Sequence, residues 1–495
     1  MSELGLALLV MVGAGVVLTG LPAFAMLILG AGIGALAGVL GGAFEPHLLS
    51  ALPNRLVALL EHDLLQALPL YVLMGILLDR MGVAEALLKS IARPLPAGPA
   101  SQMVAGMTLG ALLGPMNGSV GASVLALSRA LAPRLRDAGV PEPTRYAVVA
   151  VASTFGIVIP PSLVLILLGD AMLNAHTLAI NATGRADRVV NTQDIFHGAF
   201  APAALLVVLC IAVAWRRGRA VPTAAGPDGA CAAAEPPRRA EAALAGLSVA
   251  LLGVLLGGVA VGRLYAVEAA ATGAFALLLG GFASGRLGRH NLRAALADTL
   301  ATTGALFAPL LAATTFTLVL RLLGTDKLIE AWITSLPGGP RVAVAVVLAA
   351  IAISGLVLDA FEIVFVVVPI LVPPLLMRVP DAAWVAVLVL LTLQASFLFP
   401  PVGYALMMTR STLGGGVRLA GVVRALAPFL AIQLLVLGLV LAFPALVHPG
   451  RAGAAGTSGA APLSREEVDL KFRQLRPPSA PDGLPNFGGT GGTRR

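Results

Sequence analysis

Residues 155–170, FGIVIPPSLVLILLGD, place two adjacent prolines, Pro160 and Pro161, in the middle of an apolar run. A proline has no N–H to donate and its ring clashes with the preceding helical turn, so the pair predicts a break in a helix. Inside a bilayer, backbone carbonyls that such a break frees are costly until another group takes them. At this pair alone, a packing kink and a functional break both remain open.

The composition indicates that the surrounding medium is lipid. Of the 495 residues, 58% are hydrophobic and 12% are charged, and the mean hydropathy is +0.92. A soluble domain is only about half apolar. Apolar runs of about 17 to 25 residues, which is the length of a membrane-crossing helix, recur along the chain. We therefore predict an all-α polytopic membrane protein.

The formal net charge of +8 does not indicate a nucleic-acid partner, because the basic residues are scattered through short loops without an aromatic-rich basic segment. Their distribution instead predicts orientation, with the linker 216–241 in the cytoplasm and both termini outside. The Gly/Pro/Ala-rich tail, 448–495, is predicted to be disordered. Cys210 and Cys231 fall in an apolar helix and a polar linker, so no disulfide framework or metal motif is predicted.

The pair Pro160-Pro161 recurs as Pro400-Pro401, which favours function over a packing kink. One offset of 240 residues relates prolines in three separate segments: Pro69 to Pro309, Pro133 to Pro373, and Pro160-Pro161 to Pro400-Pro401. We interpret residues 1–215 and 242–447 as two repeats. Each repeat is predicted to cross the membrane five times, and an odd number of crossings gives the two repeats opposite orientations. This inverted repeat is typical of secondary transporters, whose discontinuous helices meet at a midplane site.

Each repeat is predicted to contain one re-entrant helical hairpin and one interrupted helix. The hairpins are predicted at 101–132 and 341–377, and the interrupted helices at 144–173 and 382–409. The first hairpin tip, GPMNGSVGAS (114–123), offers small residues and neutral oxygens that suit a hard cation. The second, SGLVLDAFEIV (354–364), supplies Asp359, an ionisable residue in an apolar region. Small-residue helix packing and a solvated loop aspartate are the structural alternatives.

The breaks suggest how charged solutes are held. A cation can use the carbonyls that a break frees, and an anion can use the positive N-terminal end of the helix that follows. Pro161 suits the first position of such a helix.

Several segments together resemble one transporter family. They are PLYVLMGILLDRMG, the first tip followed by IPPSLVLILLGD, GLVLDAFEIVFVVVPILVPPL, and LQASFLFPPVGYALM. In this order, over residues 1 to 447, they resemble the large membrane subunit of tripartite ATP-independent periplasmic (TRAP) transporters, in the branch labelled mannitol/chloroaromatic compound type. The resemblance implies an elevator-type fold of the ion transporter superfamily in the bacterial inner membrane.

The resemblance also implies a sodium-coupled importer of a small organic acid, with Na⁺ as the coupling ion and no other metal or cofactor. Its implied partners are a small four-helix membrane subunit, expected as a separate chain, and a periplasmic solute-binding protein. The implied first sodium site consists of Asn117, Ser119, Thr154 and Gly156. The implied second sodium site consists of Asp359, Gln394, Ser396 and Gly403. Substrate is expected between the tips, near Ser119, Ser123, Pro161, Ser162 and Pro401.

Other functions are less well supported by the sequence. An intramembrane protease is disfavoured, because the chain has no HExxH motif, Ser119 lies in NGSVG without GxSG spacing, and Asp359 has no aspartate partner in a matching motif. We therefore predict that the chain is not an enzyme. A single-component sodium/dicarboxylate symporter or anion permease of the same superfamily is the main alternative. A channel is a third alternative. It is disfavoured because paired broken helices suit an occluded site better than an open pore.

Overall fold

The computed structural model describes residues 2–61, 63–96, 98–116, 119–160, 162–185, 188–221, 239–260, 262–414 and 416–448. The predicted site residues Asn117 and Pro161 lie outside these ranges. So do most of the predicted linker and nearly all of the predicted disordered tail.

The described residues form α-helices and short 3₁₀ or π segments, with no strand among them. Ten α-helices precede the linker: α1 (Ser2–Thr19), α2 (Ala23–Leu40), α3 (Ala51–Leu60), α4 (Asp63–Arg80), α5 (Val83–Ala92), α6 (Pro99–Leu113), α7 (Val120–Asp137), α8 (Glu142–Val158), α9 (Leu163–Thr183) and α10 (Thr192–Arg219). Ten follow it: α11 (Arg239–Ala260), α12 (Ala266–Ala283), α13 (Arg289–Leu322), α14 (Thr325–Ser335), α15 (Pro340–Ser354), α16 (Ala360–Glu362), α17 (Val368–Arg378), α18 (Ala382–Ser396), α19 (Tyr404–Leu413) and α20 (Leu419–Ala442).

Six helical segments of the described residues are long and apolar enough to cross a membrane. They are α2, α9, α10, α13, α20 and the continuous segment from α16 to α17. In that last segment, a π-helical stretch at Ile363–Val367 joins the two α-helices. The chain is thus a multi-pass membrane protein.

Two helical hairpins have first arms too short to cross the membrane. The helices α6 and α15 contain 15 residues each, which corresponds to about 22 Å against a hydrocarbon core of about 30 Å. After α6 the chain turns back into α7, and after α15 it turns back into α16 and α17. The sequence predicted that these segments would end at 132 and 173, but α7 extends to Asp137 and α9 extends to Thr183.

Two helices are interrupted at the proline pairs. In the first repeat, α8 ends at Val158 and α9 begins at Leu163. In the second, α18 ends at Ser396 and α19 begins at Tyr404. A proline pair stands at each break, and each proline lacks the N–H that would continue the helix.

The hairpins and interrupted helices of the two repeats interlock. The first arm of each hairpin packs on its own repeat, α6 on α8 and α15 on α18. The second arm also contacts the other repeat: α7 packs on α19 as well as on α8 of its own repeat, and α17 packs on α9. The helices α10 and α20 flank this group through contacts with α6, α8 and α18. A second group forms where α2 and α4 pack on α12 and α13, with α1 against α2.

Candidate functional site

The first hairpin tip is closed by serine side chains. A 3₁₀ turn at Gly114–Met116 ends α6, and Ser119 caps the start of α7 with its Oγ accepting from the Ala122 N–H at 3.2 Å. The Ser123 hydroxyl donates to the Ser119 carbonyl at 3.1 Å. The cap satisfies one N–H of the first turn of α7 and so stabilises the start of that helix.

Glycines bring the first tip into backbone contact with the interrupted helix α8. A Cβ atom added to Gly156 would lie 2.3 Å from the Gly114 carbonyl oxygen, and one added to Gly114 would lie 2.7 Å from the Gly156 nitrogen. No side chain fits between these two backbones. The contact places the tip directly on the last turn of α8, just before the first break.

A small cavity lies at this contact. Its volume is about 10 Å³, which is space for one water molecule or an ion of similar size. It is lined by Gly114, Pro115, Ser119, Val120, Ser123, Ser153, Gly156, Leu163 and Val164. The lining is uncharged and supplies hydroxyl and backbone oxygens, a donor set that hard cations accept. The predicted residues Ser119, Ser123 and Gly156 are therefore brought together.

Ser153 lines this cavity, whereas its neighbour Thr154 does not. Both side chains are fully buried, and each hydroxyl donates to a backbone carbonyl of α8, Ser153 to Ala150 at 2.7 Å and Thr154 to Val151 at 2.8 Å. Sequence reasoning missed Ser153. The assignment of Thr154 to the first sodium site stays a prediction.

The first break is bridged by Ser162. Its hydroxyl donates to the Ile157 carbonyl at the end of α8 (3.0 Å) and accepts from the Leu165 N–H at the start of α9 (3.0 Å). The Ile157 carbonyl is therefore satisfied within the protein. Ser162 is 1% exposed, and its two hydrogen bonds position the half-helices α8 and α9. This role is structural, whereas the contact of Ser162 with substrate stays a prediction.

The second tip carries two carboxylates. Asp359 caps α16, and the Glu362 carboxylate accepts from the Asp359 N–H at 3.0 Å. Glu362 is 5% exposed and Asp359 is half-buried. Neither forms an ion pair with a Lys or Arg among the described residues. Buried carboxylates without a compensating cation are costly, so this tip favours binding of a positive ion.

The second tip also rests on the last turn of its own interrupted helix, here with a glycine against a side chain. A Cβ atom added to Gly355 would lie 2.3 Å from the Ser396 Oγ in the last turn of α18. The Ser396 hydroxyl donates to the Leu393 carbonyl at 2.8 Å. Ser396 thus contacts the segment whose tip carries Asp359, at Gly355.

The second break contains the remaining predicted residues. The Gly403 N–H donates to the Phe399 carbonyl at 2.9 Å, so Gly403 closes the turn between α18 and α19. Pro401 is exposed in this turn. The next residue after Gly403, Tyr404, was not predicted. Its ring packs on Phe397 with the centroids 5.8 Å apart.

Tyr404 also connects the two repeats. Its hydroxyl lies 3.1 Å from where a Cβ atom would stand on Gly121, in the first turn of α7. The hydroxyl is therefore close to the first tip, although Tyr404 belongs to the second repeat. In the sequence, Tyr404 stands three residues after Pro401, which places it at the break but does not indicate its contact with the first tip.

The two interrupted helices meet at a pair of predicted site residues. The Gln394 amide Nε2 donates to the Thr154 Oγ1 across 3.5 Å, and both side chains are 0% exposed. The two predicted sodium sites are therefore in contact through one side-chain pair.

A larger cavity lies beside the second hairpin, and its chemistry differs. It has a volume of about 630 Å³ between that hairpin and α1, α2, α13 and α14. Of its lining residues only Ser354 is polar, and the Ser354 hydroxyl donates to the Ala350 carbonyl at 2.9 Å. An apolar lining does not suit a carboxylate. This cavity therefore does not suit an organic anion.

Sequence comparisons relate most of the chain to one transporter family. The family model described as "Tripartite ATP-independent periplasmic transporter, DctM component" matches residues 6–446. The chain is 25% identical over 405 residues to the C4-dicarboxylate TRAP transporter large permease protein DctM of Pseudomonas aeruginosa, covering 81% of this chain and 90% of that protein. It is 23% identical over 409 residues to the sialic acid TRAP transporter permease protein SiaT of Haemophilus influenzae, covering 81% of this chain and 62% of that protein.

Two solved structures share the fold. The YdaH transporter of Alcanivorax borkumensis aligns with a TM-score of 0.54 at 15% identity, covering 80% of this chain and 87% of that one. MtrF of Neisseria gonorrhoeae aligns with a TM-score of 0.53 at 14% identity, covering 82% and 83%. The predicted fold class, an all-α polytopic transporter with hairpins and interrupted helices, is confirmed.

Proposed function

The chain belongs to the DctM-component family of tripartite ATP-independent periplasmic transporters, and from this premise we propose that it imports a small organic acid coupled to sodium. The family is one of transporter permeases and not of enzymes. It implies two partners for this chain, a small membrane subunit and a periplasmic binding protein. We place the assembly in the bacterial inner membrane.

The observation that carries the proposal is the matched packing of the two tips. Gly114 of the first tip meets Gly156 before the first break, and Gly355 of the second tip meets Ser396 before the second break. Each contact brings a re-entrant tip to the last turn of an interrupted helix, just before the break. That combination is how discontinuous helices of secondary transporters coordinate coupling ions.

The charges at the tips suggest how sodium and substrate depend on each other. Asp359 and Glu362 make the second tip negative, and the first tip contributes neutral oxygens. An anion entering between the tips is repelled by these carboxylates until cations neutralise them. Sodium binding therefore precedes and strengthens binding of the organic acid. The N-terminal ends of α7, α9 and α19 then favour the negative charge of the substrate.

The packing of the helices supports an elevator mechanism. The hairpins and interrupted helices form one interlocked group with α10 and α20 beside them, and α1, α2, α4, α12 and α13 form another. We propose that the first group carries ions and substrate across the membrane as a unit while the second stays fixed. The apolar cavity between α15 and α1 lies at the boundary of the two groups.

The substrate class follows from the relatives. The names of the related permeases specify C4-dicarboxylates and sialic acid, both of which are carboxylic acids. We propose a carboxylic acid for this chain as well. The mannitol/chloroaromatic branch suggested by the sequence stays a prediction.

Transport in proteoliposomes tests the proposal. The chain is reconstituted with its small subunit, its binding protein is added outside, and uptake of labelled organic acids, beginning with succinate and sialic acid, is followed under an inward sodium gradient. We expect uptake that requires all three proteins and stops when choline replaces sodium. Uptake by the chain alone would support the single-component alternative. Uptake driven by a proton gradient without sodium would remove the coupling mechanism.

A further inference from the structure

Thr154 and Gln394 occupy the same position in the two repeats. They are 240 residues apart, which is the offset that relates the two proline pairs. Two equivalent residues contact each other only where the two repeats meet on their symmetry axis. The hydrogen bond between them, 3.5 Å long, therefore lies at the centre of the interlocked group.

The hydrogen-bonding capacity of the pair is only partly used. The Thr154 hydroxyl donates to the Val151 carbonyl and so accepts from the Gln394 amide. The Gln394 Oε1 has no hydrogen-bond partner in the part of the chain that the structure describes. Burying an amide in this way is costly, and its bond to Thr154 is the interaction that offsets the cost. Apolar residues of similar size would pack at this position without that cost.

The pair is placed between the two contacts at the tips. Thr154 is two residues before Gly156, which meets the first tip, and Gln394 is two residues before Ser396, which meets the second. One hydrogen bond thus joins the last turns of α8 and α18. A shift of either turn on ion binding is transmitted to the other through this bond.

We propose that Thr154 and Gln394 form a positioning link through which an ion bound at one tip favours an ion at the other. The inference rests on the proposed function, because it presumes a sodium site at each tip. It assigns the two side chains a different role from that of separate sodium ligands, which the resemblance implies. The position of Thr154 outside the lining of the first cavity supports this assignment.

Sodium titration of the purified chain with its small subunit, in nanodiscs and without substrate, tests the link. Binding of ²²Na⁺ gives the half-saturating concentration, the Hill coefficient and the number of ions per chain. In the unaltered protein we expect a Hill coefficient above 1, limited by the number of coupled sites. Thr154→Val and Gln394→Met should each raise half-saturating sodium about two- to tenfold, the range of one neutral hydrogen bond. The Hill coefficient should fall to about 1.

The double variant distinguishes a link from two separate ligands. If both residues act through one bond, Thr154→Val with Gln394→Met should shift half-saturation no further than either single change. Thr154→Ser, which keeps the hydroxyl, should retain the Hill coefficient of the unaltered protein. The control is Thr409→Val, because Thr409 is also 0% exposed and its hydroxyl bonds only within its own helix, to the Ala405 carbonyl at 2.7 Å. It should leave the Hill coefficient unchanged.

Several results would overturn the link. Additive shifts in the double variant, or loss of one bound ion in each single variant, would make the two residues ligands of separate sites. Unchanged titrations in both single variants, or a Hill coefficient of 1 in the unaltered protein, would also refute it while leaving sodium coupling intact. Absence of sodium binding in the unaltered protein would instead refute the proposed function.

Discussion

Replacing Asp359 by asparagine removes one charge from the second tip and little else. Asp359 caps α16, and asparagine caps helices as well as aspartate does. The Asp359 N–H still donates to Glu362. The variant should therefore insert, fold and assemble with the small subunit as the unaltered chain does.

The size of the effect follows from the half-buried position of Asp359. A hydrogen bond or ion contact that involves a charged group contributes about 1.5–3 kcal/mol. Because 1.4 kcal/mol corresponds to about a factor of ten in affinity, half-saturating sodium should rise about tenfold to a hundredfold. The maximal transport rate at saturating sodium should change by a smaller factor than half-saturating sodium does.

The assay is sodium-dependent uptake into proteoliposomes with both partners present. Asp381→Asn is the control, because Asp381 also caps a helix, α18, accepting from the Trp384 N–H at 3.0 Å; its other oxygen contacts the His448 ring at 2.8 Å. It lies at the opposite end of α18 from the break, about 22 Å away along the helix. The sodium dependence of the Asp381→Asn variant should match that of the unaltered chain. If Asp359→Asn also left half-saturation and rate unchanged, Asp359 would not belong to the ion site.

Three further changes test other parts of the account. Gly156→Ala forces a Cβ to 2.3 Å from the Gly114 oxygen and should weaken sodium binding about fivefold to a hundredfold, by overpacking worth about 1–3 kcal/mol, whereas Gly438→Ala, with open space around it, should bind sodium normally. Ser162→Ala should lower the thermal unfolding temperature, because it removes a cap and a bridge worth about 1–2 kcal/mol; an unchanged temperature would contradict the bridging role. An alkaline phosphatase fusion after Arg188 should be active, and one after Arg219 inactive; the reverse pattern would overturn the predicted orientation.

The two breaks were predictable because a proline removes a backbone N–H and because the pairs Pro160-Pro161 and Pro400-Pro401 share the 240-residue offset. A proline pair alone is not sufficient, since Pro373-Pro374 lies inside α17 without ending it. The carboxylate of Asp359 was visible for a similar reason, since an ionisable residue is rare in an apolar segment. These features need no knowledge of which helices are neighbours.

The faces of the helices could not be predicted in the same way. The helix α8 is buried on nearly all sides, so its sequence carries no apolar stripe to show that Ser153 and not Thr154 faces the first tip. The contact of Tyr404 with the first tip depends on the packing of α19 against α7 in the other repeat. The short helices α5 and α14 were missed because a search for long apolar runs passes over amphipathic helices of 10 and 11 residues.

The number of sodium ions bound per chain tests the central claim most directly, because that claim assigns one ion site to each hairpin tip. It is measured by equilibrium binding of ²²Na⁺ to the purified assembly, with total protein quantified by amino-acid analysis. The account predicts more than one sodium ion per chain, with fewer bound when Asp359 is replaced by asparagine at a fixed subsaturating sodium concentration. A single bound ion, or binding of none, would contradict it.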